Sequence, residues 1–175
     1  MSSFKKQPHD FFEQQYEFGK QKENESVDRL SQLMGIPMIL SQNKYDPWDM
    51  RSGDCNVYLE LKSIPRPLNN QYPKVPLALS KCRWADMMLD KYPHLKFYVC
   101  FRFTDCFGIY EYTKEAWLGF DIGGIQLQGA LVKTDHIFIP IRLLSVEPLE
   151  EGFYTPTYKE PRDRNHGVCM LTLDS

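Results

Sequence analysis

The sequence predicts an α/β domain, a central mixed β-sheet flanked by helices. Three observations carry this reading. An amphipathic stripe near the start closes on a Gly35–Pro37 stop, as a helix end does. A second helical pattern, Leu77–Tyr92, sits between strand-like runs. Two apolar runs, Lys96–Phe103 and Phe107–Tyr112, are joined by only a short turn at Thr104-Asp105, which argues for an antiparallel pair. Helix, strands, helix, strands is the order of a sheet covered by helices.

The 175 residues fit one domain over 1–175, with an irregular polar tail expected from about residue 150. Hydrophobic residues make up 42% and charged residues 25%, which excludes a disordered chain, a collagen-like rod and a disulfide-dense miniprotein. Lysine and arginine (21) nearly balance aspartate and glutamate (23), so no overall basic field advertises nucleic acid; a local patch would have to do that work. The five cysteines, Cys55, Cys82, Cys100, Cys106 and Cys169, are scattered without a C-x-x-C pair, against a zinc site or a disulfide framework. The first residues lack the apolar stretch of a signal peptide, and no run approaches the roughly 18 apolar residues of a membrane helix. An intracellular, cytoplasmic protein that does not engage membranes is expected.

The first helix is expected over Asp10–Met34, with an irregularity at Gly19. Val27, Leu30, Leu33 and Met34 form its apolar stripe. Met38–Leu40 reads as a short strand. Lys44–Met50 and Cys55–Ser63 read as two strands joined by a loop at Arg51–Asp54. The four prolines in 64–76 mark a loop, and the helix Leu77–Tyr92 ends before Pro93. His136–Leu144 is a strand candidate whose Pro140 suits an edge. Gly123-Gly124 reads as a turn.

The strand Val57–Lys62 separates two chemistries. Val57, Leu59 and Leu61 share one face; Tyr58, Glu60 and Lys62 share the other. Glu60 and Lys62 stand roughly 6.5–7 Å apart along the strand, which by itself suits a solvated ion pair. The neighbouring strand changes this, because an antiparallel partner brings opposed residues within about 4.5–5.5 Å. Either Asp46 or Asp49 then approaches Glu60, and Pro47 leaves the register open. Asp54, about 20 Å away along a straight strand, is the weaker candidate. Two carboxylates forced together repel and raise one pKa, a cost that a hard divalent cation relieves.

Asp49, then ten residues, then Glu60-Leu61-Lys62 resembles the PD-(D/E)XK nuclease superfamily, whose members share a mixed sheet between helices, the restriction-endonuclease-like core. Gly19-Lys20-Gln21-Lys22-Glu23 is similar to the helix opening of its resolvase-like members. Tyr72-Pro73, Ser80-Lys81 and the strand Phe97–Asp105 are similar in order to small phage and large-DNA-virus nucleases. The resemblance covers about residues 19–112 and departs from the motif at the aspartate, where the usual Pro-Asp order is reversed: Pro47 follows Asp46 and Trp48 precedes Asp49.

The resemblance implies a metal-dependent endonuclease acting on DNA, with Mg²⁺ or Mn²⁺ as cofactor. Asp49 and Glu60 would hold the metal together with the Leu61 carbonyl. Lys62 would orient or deprotonate the attacking water and neutralise the phosphorane, and Glu23 would reach a metal or its water from the first helix. RNA stays open as a substrate, and a homodimer is what cleavage of paired sites would use. The alternative is a non-catalytic module that binds nucleic acid or protein on the same fold. Lys81 reads as a surface lysine with an option on backbone phosphates. Lys5, Lys6, Lys20, Lys22, Lys74, Arg162 and Arg164 are candidates for a phosphate-binding surface. His9, His94, His136 and His166 lack metal-ligand spacing.

Overall fold

The computed structural model describes residues 8–43, 45–69, 71–125 and 133–150. The polar tail beyond 150, Lys5, Lys6, Arg162, Arg164, His166 and Cys169 lie outside these residues, as does the side chain of His9. Helix α1 spans Pro8–Met34 and runs without a break through Gly19. Its inward face carries Glu23, Ser26 and Leu30, all buried. The helix stops where the glycine requires it to. Gly35 adopts φ +67°, its N–H bonds the Gln32 carbonyl at 3.1 Å, and the Ile36 N–H bonds the Ser31 carbonyl at 3.2 Å. Those paired bonds satisfy the orphan carbonyls of the last turn.

Strands β1 (Met38–Leu40), β2 (Met50–Ser52) and β3 (Val57–Ser63) follow as an antiparallel meander. Next come β4 (Lys74–Ala78), α2 (Leu79–Lys91), β5 (Lys96–Arg102) and β6 (Cys106–Tyr112). β7 (Asp121–Ile125), β8 (Thr134–Pro140) and β9 (Ser145–Pro148) complete the described elements, with 3₁₀ turns at Ala116–Gly119 and Ile141–Leu143. A six-stranded sheet has the order β1-β2-β3-β5-β6-β9, and a three-stranded sheet the order β4-β8-β7. Among the described strands, only β3 and β5 pair in parallel, joined by a crossover through β4 and α2. The expected α/β class with a mixed sheet is what forms.

Alternation along the central strands explains the layers. Leu59, Leu61, Cys100 and Phe107 face α1 and close over Leu30, Met38 and Met50. Phe97, Val99 and Phe101 face the other way, onto Leu79, Cys82 and Ala85 of α2 and onto Val75, Leu77, Ile137 and Ile139 of the smaller sheet. Covered on both faces, the middles of β3 and β5 are buried, as parallel pairs usually require, while their ends stay partly exposed. Cys82, Cys100 and Cys106 are buried free thiols inside these cores, and Cys55 is exposed. Among the described residues no helix is long and apolar enough to cross a membrane.

Several expected boundaries move. The described residues of 44–49 form a loop, because pairing begins only at Met50, and Arg51 and Ser52 belong to β2 rather than to the connection. Lys74–Ala78, expected in a loop and a helix start, is a strand; Pro76 is tolerated because β4 is an edge. β8 is central in its sheet, so Pro140 does not mark an edge. It is the last residue of the strand, after which the Ile141 N–H bonds the Pro73 carbonyl at 2.8 Å. Gly123 and Gly124 lie in β7 rather than in a turn, and a Cβ on Gly123 would stand 3.0 Å from the Phe138 ring. The missing side chain leaves room for that ring across the strand.

Candidate active site

The site begins where β2 and β3 part. Met50 pairs with Leu59 and Arg51 with Tyr58, and Asp49, the loop residue immediately before β2, comes next, toward Glu60. The backbone of Asp49 stays with β1, its carbonyl accepting the Ser41 N–H at 2.8 Å. Its side chain instead crosses the opening, and Oδ2 accepts the Leu61 N–H at 2.8 Å. Within a strand the N–H and C=O of one residue point the same way, so the Leu61 carbonyl is directed into the same gap. Trp48 sets this geometry from behind. It is buried against Phe97 at 5.1 Å and Trp84 at 6.3 Å between ring centroids, which sinks the residue before Asp49 into the core.

Glu60 is 1% exposed, so the solvated-face reading of β3 does not hold. Its Oε1 lies 2.6 Å from the Lys62 Nζ and its Oε2 2.7 Å from the Lys81 Nζ. A carboxylate this buried is stable only when both oxygens are satisfied. Lys81 also donates to the Pro47 carbonyl, which overturns its reading as a surface lysine. From α1, Glu23 reaches the cluster at 9% exposure and takes an ion pair from Lys20 at 2.8 Å.

The electrostatics tie the predicted set together. Burial pushes the Asp49 carboxyl up to about 7, the negative charges of Glu60 and Glu23 add to this, and the Leu61 N–H and Lys62 oppose it. Burial pulls the Lys62 ammonium down, but Glu60, Asp49 and Glu23 outweigh it and its pKa ends raised. Asp49 and Lys62 therefore each lie within the fields of Glu60 and Glu23, and within each other's.

Of the two aspartates left open, Asp49 is at the gap, while Asp46 is exposed in the loop before it. Asp54 serves the β2–β3 turn, accepting from Ser52 and from Asn56. His94 stands beside the Tyr92 ring and His136 bonds the Thr134 carbonyl. The described members of the expected basic surface are each engaged elsewhere: Lys20 with Glu23, Lys22 with Glu25 and Lys74 with Asp121.

Among the described residues, no three His, Cys, Asp or Glu side chains converge as a ready metal cage. The donor chemistry nevertheless fits a hard cation. Asp49, Glu60 and the Leu61 carbonyl offer oxygen only; the Asp49 carboxyl is raised first by burial and then by the Glu60 charge, and the second part is a repulsion that such a cation relieves. Lys81 and Lys20 are the members that residue spacing undervalued. For Lys81 the sequence held no adequate signal: it lies in the first turn of α2, where the helix dipole disfavours a cation too weakly to imply a buried anion. No family model, curated protein or solved structure matches this chain.

Proposed function

We propose that this chain is a Mg²⁺- or Mn²⁺-dependent nuclease of the PD-(D/E)XK type, with a restriction-endonuclease-like core, that hydrolyses phosphodiester bonds in DNA. The observation that carries the reading is the gathering of Asp49, Glu60, Lys62 and Glu23 where β2 leaves β3, with Asp49 held on the Leu61 N–H. A mixed sheet covered by α1 on one face and α2 on the other supports it. Asp49, Glu60 and the Leu61 carbonyl would hold the cation, which supplies Lewis acidity toward a phosphate oxygen and a more acidic bound water.

The protein's own groups do the rest. Hydrolysis adds water at phosphorus and expels a sugar oxygen, so negative charge grows on the phosphate oxygens. Burial works against the Lys62 ammonium, but its contact with Glu60 and the fields of Asp49 and Glu23 outweigh it and raise its pKa. That suits Lys62 to orient the water and to neutralise the growing negative charge rather than to remove a proton. Glu23, paired with Lys20, would orient a metal-bound water from α1. The test is cleavage of labelled single-stranded DNA, duplex, flap, four-way junction and RNA with Mg²⁺ or Mn²⁺, wild type beside Lys62→Ala. Cleavage that needs metal and disappears in the variant supports the reading, and the substrate cut decides DNA against RNA.

One observation favours a second reading, a non-catalytic module that binds nucleic acid or protein. Both Glu60 oxygens are already neutralised by lysines, as in a purely structural charge cluster. A folded wild type that cleaves nothing and shows no saturable Mn²⁺ site by calorimetry would select that module.

A further inference from the structure

We propose that Lys81 is a positioning residue that holds the two metal-facing carboxylates in register. Its Nζ bridges two segments far apart in sequence: the Glu60 Oε2 on β3 at 2.7 Å, and the Pro47 carbonyl in the loop that delivers Asp49. That loop has no ladder to β3, since pairing between β2 and β3 stops at Met50 and Leu59. Asp49 is held over the gap by its own bond to Leu61, by the Ser41 contacts to Asp49 and Trp48, by Trp48 burial and by the Lys81 bridge. Of these, the Lys81 bridge alone contacts Glu60 as well, so it couples the positions of both carboxylates.

Its setting is costly for any lesser purpose. The side chain is 22% exposed, it gives up the rotamer freedom of a long lysine, and it stands in the first turn of α2 against the helix dipole. A lysine serving only solubility would extend into water. The bridge itself is independent of the nuclease reading; its chemical consequence, setting the separation of two metal ligands, rests on that reading.

The first test is made on the metal-free full chain, by amide hydrogen exchange of Leu61 with Val99 and Cys100 of β5 as reference. Lys81→Met is expected to speed Leu61 exchange by about tenfold or more relative to β5, the loss of one hydrogen bond's protection, while Lys81→Arg stays within about threefold of wild type. Unchanged Leu61 exchange in Lys81→Met overturns the proposal. So does a rise in which Leu61 and the β5 amides move together, which marks general destabilisation. Should Lys81→Met fail to fold, Lys81→Gln, which keeps a donor and loses the charge, carries the same comparison.

The second test uses Mn²⁺ calorimetry and steady-state cleavage. Lys81→Met is expected to weaken Mn²⁺ binding by about 10–100-fold and to lower kcat with little change in KM. A rise in KM alone would make Lys81 a phosphate contact and overturn positioning. A wild type that neither binds Mn²⁺ nor cleaves sinks the nuclease reading, and the exchange experiment then decides on Lys81 by itself.

Discussion

Asp49 and Leu61 are joined across the sheet opening by a side-chain bond in place of a backbone one: the Asp49 Oδ2 accepts the Leu61 N–H at 2.8 Å. A strand continuing past Met50 would have taken that N–H into the ladder. Because β2 peels away with β1, the amide is left for the carboxylate, and the carboxylate is drawn to within the fields of Glu60 and Glu23. The same departure of one strand creates both the gap and the group that lines it.

Asp49 should destabilise the metal-free fold at neutral pH. Its carboxyl rises from 3.8 to about 7, so below pH 4 both folded and unfolded forms are protonated and no penalty exists. Between pH 4 and about 7 the unfolded chain ionises first, and the penalty grows to a ceiling of about 4 kcal/mol, nearer about 2 with solvent screening. Asp49→Asn, which keeps an acceptor for Leu61, is expected to be near neutral at pH 4 and stabilising at pH 8. Urea denaturation at the two pH values checks this, and equal effects at both would refute it.

Mg²⁺ or Mn²⁺ should stabilise the wild type at pH 8, by about 2.7 kcal/mol at a hundredfold excess over its dissociation constant. The gain is expected to shrink in Asp49→Asn and to vanish in Glu60→Gln. Thermal melts with metal and with chelator measure it. A metal-induced shift that survives in Glu60→Gln would locate the cation elsewhere.

Glu60→Gln leaves Lys62 and Lys81 facing each other without their shared anion. Breaking a buried pair costs about 3–5 kcal/mol, and the partial exposure of both lysines reduces this to about 2. The loss should appear in the denaturation midpoint without metal present. Cleavage should fall by about 10²–10³-fold or more in both Glu60→Gln and Lys62→Ala, as when an oriented charge is removed from a reacting site.

Glu23→Gln should act more mildly, because Glu23 reaches the gap from α1 and is already paired with Lys20. A metal affinity weakened by about 10–100-fold with the fold intact is expected from calorimetry. An effect as large as that of Glu60→Gln would make Glu23 a direct ligand.

Trp48→Ala should cost about 3–5 kcal/mol by emptying the space against Phe97 and Trp84. It should also release Asp49. Disproportionately fast exchange at Leu61, compared with the β5 amides, would reveal that second effect.

Much of this molecule is legible in local pattern. The Val27–Met34 stripe and Gly35 foretell α1 and its stop, because a 3.6-residue period and a positive φ are properties of neighbours in the chain. The antiparallel β5–β6 pair follows from two apolar runs with a turn too short for anything else. The candidate site residues Glu60, Lys62 and Glu23, and an aspartate at 46 or 49, are singled out by resemblance to a family motif, not by any local period. Pro76 and the Gly123-Gly124 pair misled, because whether a proline or glycine breaks a strand depends on its place in a sheet.

What the chain alone determined, then, is its helices, its central strands and the identity of its acidic and basic candidates. Tertiary structure decided which aspartate meets Glu60, that Glu60 is buried, and that Lys81 comes from α2 to neutralise it. Those outcomes depend on the parting of β2 from β3 and on a helix folding over the opposite face. They are relations between segments that approach only when the two cores close, and no local period or spacing encodes them.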